Sequence, residues 1–326
     1  MICLITTSMS SIFFYRMVFV LEREDSSCFI IPYCTPNYRM HKYVRNTCTI
    51  SHVSHLSIVD NQFQLSTGSL GQLLNNVTRL HHLHLEIAHE PLNDRDRFQD
   101  DLLAVVENVL LNNKNTLESL TLNTCSVRTM ETIRTLPKLK VIVLTITDIF
   151  VVASYGPNRA TGSWPSLEAF VVKLRCFEPV RPQFVEAFLD HQFPVLTSAS
   201  IIGSPPCSCV HDFLSIHDEL ERVSIVTPEE HSPFPLPYEF VLPKMPNVVE
   251  LSFTSRHYSH FNTVIQSSVE SLLLYDEELP LVPYLPHHKE FVDKIGRSHA
   301  FPNLQHIFLR STIDSSFEMC FTVSQN

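Results

Sequence analysis

Glycine is scarce in this sequence, which has 6 glycines and 21 prolines in 326 residues. Loops that hold phosphate groups need glycine because the backbone must approach the ligand closely, and the motifs G-x-G-x-x-G and G-x-x-x-x-G-K-[ST] are both absent. The composition therefore argues against a nucleotide-binding enzyme.

The chain also lacks long apolar runs and an excess of basic residues. No stretch approaches the ~20 apolar residues that a membrane span requires. The 24 Lys and Arg residues against 34 Asp and Glu give a formal charge of −10, which repels a phosphate backbone. We therefore expect neither a membrane nor a nucleic-acid partner.

Catalytic motifs are missing as well. The sequence contains no G-x-S-x-G elbow, no H-E-x-x-H helix and no C-x-x-C pair, so we expect no catalytic residue, no cofactor and no enzymatic activity. The 9 cysteines are an odd number without a paired framework, which predicts reduced thiols in an intracellular protein, cytoplasmic or nuclear. Residues 2–21 are apolar, but they have no basic start and Arg16 interrupts them, so we expect no signal sequence.

What the sequence does contain is a recurring leucine pattern. Residues 117–127 read L-E-S-L-T-L-N-T-C-S-V, which has the form L-x-x-L-x-L-x-x-N/C-x-L of a leucine-rich repeat. Residues 53–63 and 139–149 fit the same frame. The ninth place is held by Asn61, Cys125 and Thr147 in these three units.

A shorter form of the pattern, apolar at places one, four and six, occurs ten times. The units begin at residues 53, 80, 117, 139, 167, 196, 220, 248, 269 and 304. Most spacings lie in the ~20–29-residue range of leucine-rich repeats, with longer gaps after 80 and 269. The pattern predicts an α/β leucine-rich-repeat solenoid of about ten irregular repeats over residues 51–326.

Local periodicity indicates the secondary structure of each unit. Places four and six alternate with their neighbours, as a strand with one buried face requires. Helical stripes lie between the strands at residues 98–110, 184–189 and 291–295, and Gly296 suits a helix C-terminal cap. We therefore expect parallel strands on the concave face and helices on the convex face. The alternative is an ordinary α/β domain, but the chain lacks the glycine-rich strand-to-helix turns of a doubly wound sheet.

The units resemble the irregular leucine-rich repeats of fungal F-box proteins. Stretches such as Trp164-Pro-Ser-Leu, Phe301-Pro-Asn-Leu and Leu136-Pro-Lys-Leu are typical of strand starts in that family, and the likeness covers about residues 50–310. The resemblance implies a substrate-receptor role in a ubiquitin ligase, with a cullin-ligase adaptor as partner if an F-box lies upstream. Residues 1–50 show no F-box pattern, so we interpret them as a segment of uncertain structure, a truncated or misassigned F-box region. The alternative is a stand-alone scaffold or enzyme-inhibitor protein.

Places three, five and seven of each strand are expected to point away from the core onto the concave face. Exposed apolar strips often mark interaction surfaces, and the middle of this face is small or apolar. Flanking loops or the N-terminal segment could instead cover the strip. The predicted protein-binding residues are Thr121, Asn123, Val141, Val143, Thr145, Ala169, Val171 and Lys173, and the same rule places Val226 and Thr254 on this face.

Two groups of residues have the chemistry of metal ligands. His55, His82 and His84 fall on neighbouring strands of the predicted face, near Glu86. The other group is Cys207-x-Cys209-x-His211, whose spacing is shorter than the C-x₂₋₄-C of structural zinc sites. With 17 histidines in the chain, chance clustering explains the first group, and a loop leading into a helix explains the second. We expect no metal at either.

Overall fold

The computed structural model describes residues 17–23, 28–33, 53–60, 70–71, 74–75, 77–87, 95–123, 125, 127–146, 163–174, 181–203, 207–227, 241–255, 258, 264–276, 286–311 and 318–323. Within these residues the chain forms a single sheet of thirteen strands together with helices. The fold is therefore α/β.

The strands are β1 Met17–Arg23, β2 Cys28–Tyr33, β3 Val53–Asp60, β4 His82–Ile87, β5 Ser119–Leu122, β6 Val141–Ile146, β7 Ala169–Leu174, β8 Ser198–Ile202, β9 Arg222–Val226, β10 Glu250–Thr254, β11 Ser271–Asp276, β12 His306–Ser311 and β13 Glu318–Thr322. The described helices are α1 Arg95–Asn112, α2 Val127–Arg134, α3 Arg181–Leu189, α4 Ser208–Ile216 and α5 Pro286–Gly296. Helices α1, α3 and α5 fall on the three predicted stripes.

Strands β3 to β12 lie side by side in chain order, and every neighbouring pair among them is parallel. These ten strands are the ten predicted units. Their register follows the repeat frame, because each place-four residue pairs with the next, as in Leu120 with Ile142 and Ile142 with Phe170. The sheet is thus a long, mostly parallel array, as a solenoid-like repeat requires.

One face of the sheet and the helices share a single apolar core. The residues at places one, four and six of all ten units are buried, from Val53, Leu56 and Ile58 in the first unit to Leu304, Ile307 and Leu309 in the last. Helix residues such as Leu102 of α1 and Phe188 of α3 belong to the same cluster. We call this side the core face, and the side that carries places three, five and seven the open face.

A short turn leads into many of the strands. In this lead-in turn the N–H of place one donates to the carbonyl three residues earlier, as in Leu167 to Trp164 at 3.3 Å and Leu304 to Phe301 at 3.3 Å. Proline follows the carbonyl residue in both, at the turn position that suits its fixed φ. The side chain just before place one then reaches the preceding unit, since Asn303 Nδ2 donates to the Ser267 carbonyl at 2.7 Å.

The same bond recurs in other units. Ser166 Oγ donates to the Pro137 carbonyl at 2.7 Å, and Asn247 Nδ2 donates to the Asp218 carbonyl at 2.9 Å. The Pro-Ser/Asn-Leu/Val pattern therefore has two physical functions. Proline favours the turn, and the polar side chain hydrogen-bonds its unit to the unit before it.

Antiparallel strands extend the array at both ends. At one end β1 pairs with β3 and β2 pairs with β1, and at the other β13 pairs with β12. The repeat frame does not predict these three strands. The sheet continues across the predicted boundary between residues 50 and 51, because β1 on one side pairs with β3 on the other.

Gly296 corrects one expectation from the sequence. It is the last residue of α5, and Gly203 is the only described glycine with positive φ, so Gly296 does not form a left-handed cap. A Cβ at Gly296 would lie 3.2 Å from Cγ1 of Val323. Close packing of α5 against the residue after β13 therefore accounts for this glycine.

Candidate functional site on the open face of the sheet

The structure brings the predicted binding residues together on the open face of β5, β6 and β7. Thr121 pairs with Val143, which pairs with Val171, and Val141 pairs with Ala169. Neighbouring parallel strands lie ~4.8 Å apart, so residues distant in sequence form one surface. Thr145 and Lys173 pair with each other at the next rung. All eight predicted residues are partly exposed, whereas the place-four and place-six residues between them are buried.

We use the name central patch for Val141, Val143, Ala169 and Val171. Of the described open-face positions on β5 to β8, only Lys173 is charged, and an ion pair between Lys140 Nζ and Glu118 Oε2 at 2.9 Å lies just before β5 and β6. Ionisable groups lie on either side, with His84 Nε2 3.2 Å from Glu86 Oε1 on β4 and Arg222 Nε 3.2 Å from Glu250 Oε2 between β9 and β10. The centres of protein interfaces are likewise depleted of charge and bordered by polar groups.

Asn123 has a more specific role than the repeat frame assigned to it. Its Oδ1 accepts a hydrogen bond from the N–H of Ile87 at 2.9 Å, and its Nδ2 donates to the carbonyl of Ile87 at 3.0 Å. The side chain therefore continues the parallel ladder beyond the end of β5. We assign Asn123 as a residue that positions β4 against β5 at the border of the patch.

Place seven is buried in two later units, contrary to the expectation from the sequence. Val226 is 3% exposed and Thr254 is 1% exposed. Thr254 Oγ1 accepts from the N–H of Thr227 at 2.9 Å and donates to its carbonyl at 3.2 Å. Thr254 therefore bonds to one backbone N–H and C=O of the preceding unit, as Asn123 does. On β9 and β10 the exposed part of the open face therefore ends at place five, and not at place seven as predicted.

Two of the three histidines at the β3–β4 end are in contact, and the third contacts Ser57. The rings of His55 and His82 stack with their centroids 4.0 Å apart and their planes 9° from parallel, and Ser57 Oγ lies 3.1 Å from His84 Nδ1. Within the described residues no group of three His, Cys, Asp or Glu side chains is arranged to hold a metal ion. Face-to-face stacking does not direct the nitrogens of two rings at a common point. The geometry is that of a packed aromatic pair.

The cysteines differ partly from expectation. Cys207 and Cys209 form a disulfide at the start of α4, where their Cα atoms are 5.4 Å apart, within the usual range for such a bond. The prediction that the thiols are all reduced is therefore wrong for this pair. Cys125, at place nine of its unit, is buried, and burial raises the pKa of its thiol far above the ordinary value. A thiol protonated at neutral pH is a poor nucleophile.

Comparisons with known proteins leave the family open. No protein-family model matches the chain, and a search of curated proteins finds no match. None of the described helices is both long enough and apolar enough to cross a membrane.

Proposed function

We propose that the chain is a leucine-rich-repeat solenoid that binds another protein on the open face of its sheet. The observation that carries this proposal is the central patch, a group of apolar side chains held in register by β6 and β7 and partly exposed. Apolar surface of this kind favours association because burying it removes it from water. The proposed role is one of binding and not of catalysis.

The rigidity of the patch supports this assignment. Each patch residue is flanked along its strand by core residues, such as Ile142 and Leu144 on β6, which are fully buried. Val143 and Val171 are also β-branched, so few rotamers are lost when a partner covers them. Binding to a preformed surface avoids the entropic cost of ordering it.

The test is charge introduced into the patch. The double variant Val143→Asp/Val171→Asp should weaken partner binding by roughly a hundredfold or more, because interface energy concentrates in a few central contacts. Val195→Asp/Val241→Asp is the matched control, since both valines are exposed, at 45% and 42%, and lie outside the strands. Partners would be captured from cell extract with wild type and both variants, and circular dichroism would verify folding. Loss of partners by the control variant alone would contradict the proposal.

Two versions of this function remain as proposals. In the first, suggested by the resemblance to fungal F-box proteins, the chain is a substrate receptor of a ubiquitin ligase. In the second it is a stand-alone scaffold or enzyme inhibitor. One observation favours the second: the part of residues 1–50 that the structure describes consists of strands that extend the sheet, at Met17–Arg23 and Cys28–Tyr33. An F-box would show a leucine-rich helical pattern instead.

Recovery of ligase subunits separates the two versions. Affinity purification of the chain from its own cells, followed by mass spectrometry, should yield the same partners from wild type and from a variant lacking residues 1–50 if the scaffold version holds. If the receptor version holds, the wild type brings down a cullin and its adaptor. Binding through the open face is common to both versions and is tested by the valine variants alone.

A further inference from the structure

The two edge strands of the described sheet differ in the sequence features that block pairing with another chain. Among the described strands, β2 and β13 stand at the two ends of the order. Edge strands invite pairing with another chain, and proteins commonly block them with proline, lysine or a bulge. β2 contains Pro32, which has no N–H to offer, whereas β13 has the sequence E-M-C-F-T and contains none of these devices.

The hydrogen-bond pattern shows which backbone groups of β13 face outward. Val323 N–H donates to the carbonyl of Gln305 at 2.9 Å, so Val323 bonds toward β12. Successive residues of a strand direct their N–H and C=O groups to opposite edges. Met319 and Phe321 therefore also bond toward β12, and the backbone groups of Glu318, Cys320 and Thr322 point to the outer edge.

The outward-bonding residues also have exposed side chains. Glu318, Cys320 and Thr322 are exposed, while Met319 and Phe321 are partly buried against the core. Cys320 is the middle residue of β13 and a free thiol. Glu318 is already neutralised by Arg310 of β12, which contacts its carboxylate. The edge is thus accessible, short and without an uncompensated charge.

We propose that two copies of this chain pair through β13, antiparallel, about a two-fold axis at Cys320. The strand is complementary to itself in this register. Glu318 of one copy then faces Thr322 of the other, so no like charges meet, and Cys320 faces its own equivalent. Cys320 exchanges two backbone hydrogen bonds with its equivalent, which sets the two Cα atoms ~5.5 Å apart. This spacing lies within the ~4.4–6.8 Å range that a disulfide spans.

The pairing has a geometric consequence for the open face. Cys320 pairs with Phe308, a place-five residue, so its side chain lies on the open face. A two-fold axis perpendicular to the sheet keeps the open faces of both copies on the same side. The dimer therefore presents one continuous surface with two central patches. The inference does not depend on the proposed function, because it uses backbone pairing at β13 and not the central patch.

The first experiment measures mass in solution under reducing conditions. Light scattering coupled to size exclusion, over a rising protein concentration, should show the mass increasing from 37.4 kDa toward twice that value. Cys320→Ser should dimerise like the wild type, because backbone bonds hold the pair. Thr322→Pro should remain monomeric, since it removes one outward N–H and leaves the bonds toward β12 in place, a position that proline tolerates on an edge strand. Thr322→Val is its matched control and should dimerise.

The second experiment traps the register. Diamide oxidises two Cys320 thiols to one disulfide, and its azo group takes up the two electrons and two protons to become a hydrazine. Wild type should give a crosslinked dimer on a non-reducing gel, and Cys320→Ser should not. The variant Cys320→Ser/Thr322→Cys, in which the thiol is moved by two residues, should also give no crosslinked dimer, because residue 322 faces residue 318 of the other copy.

Each contrary result overturns the proposal. A monomeric wild type at the highest concentration shows that β13 does not pair. Dimerisation by Thr322→Pro with circular dichroism unchanged shows that another surface mediates it. Equal trapping through residue 322 shows that the register is wrong.

Discussion

The two faces of the same ten strands follow different rules. On the core face, apolar residues repeat without exception at places four and six, and each is buried. On the open face the residues change along the array, from histidines on β3 and β4, through aliphatic residues on β6 and β7, to charged pairs on β9, β10 and β12. The core face must be uniform because every unit packs only against its neighbours. The open face is free to vary, so the proposed specificity of binding is assigned to it.

The largest effect should come from a charge on the core face. Leu122→Asp places a carboxylate among buried residues without a cationic partner, and we expect it to cost about 4 kcal/mol or more of unfolding free energy. Leu122 is 1% exposed, and its neighbour Leu144 is fully buried. Urea denaturation followed by circular dichroism measures the change.

The control lies one residue away, on the other face. Thr121→Asp occupies the partly exposed open face and should change the stability by less than about 0.5 kcal/mol. If the two variants were equally stable, the division of the strand into two faces would be wrong.

A smaller loss of stability is expected when the buried side-chain amide of Asn113 is removed. Asn113 is 1% exposed at the end of α1, its Oδ1 accepts from Leu80 N–H at 2.8 Å, and its Nδ2 donates to the Val77 carbonyl at 3.1 Å. Asn113→Ala leaves buried backbone groups of the preceding unit unpaired, which costs about 2–4 kcal/mol. The adjacent Asn112 is exposed, so Asn112→Ala is the matched control and should be nearly neutral. Thermal unfolding of both variants measures the difference, and equal melting temperatures would show that the amide does not fasten the units.

The smallest expected effect is a dependence of stability on pH that arises from His191 and His217. Burial lowers the pKa of His191, as does the charge of Arg134, and burial lowers the pKa of His217. Because the folded pKa lies below the unfolded one, the neutral rings stabilise the fold at higher pH, and this stability is lost as the pH falls below about 6.5. The melting temperature, measured from pH 7.5 to 5, should fall less steeply in His191→Gln/His217→Gln than in wild type. If the melting temperature of this variant fell as steeply as that of wild type, the two histidines would not be the source of the pH dependence.

Much of the fold could be predicted because the same apolar pattern recurs in all ten units. Places one, four and six identified the ten parallel strands and their register, and the helical stripes identified α1, α3 and α5. The antiparallel strands β1, β2 and β13 lie outside the repeat, so no second copy of their pattern existed for comparison. The pairing of β1 with β3 and of β13 with β12 uses the edges of the array, which the local sequences of β1 and β13 do not indicate.

The candidate site could be predicted only as a set of positions. The frame correctly placed Val143 and Val171 together, since alternation along a strand is a local property. It could not show that Asn123 and Thr254 bond to the backbone of the preceding unit, because that depends on where each neighbouring strand ends. A polar residue at place seven, at or directly after the end of a strand, is a signal that could have indicated this role.

The lead-in turn has a consequence for how such a chain changes over evolutionary time. In the described part of the chain its side-chain bonds, such as Asn303 to Ser267 and Ser166 to Pro137, run from one unit to the unit before it. The turn and the residue that makes this hydrogen bond occupy a few consecutive positions. A unit that is duplicated or lost therefore includes the residue that bonds it to the preceding unit. The number of units is therefore not fixed by the fold. A unit added or removed between β5 and β8 would therefore change the width of the central patch while the remaining strands kept the same register.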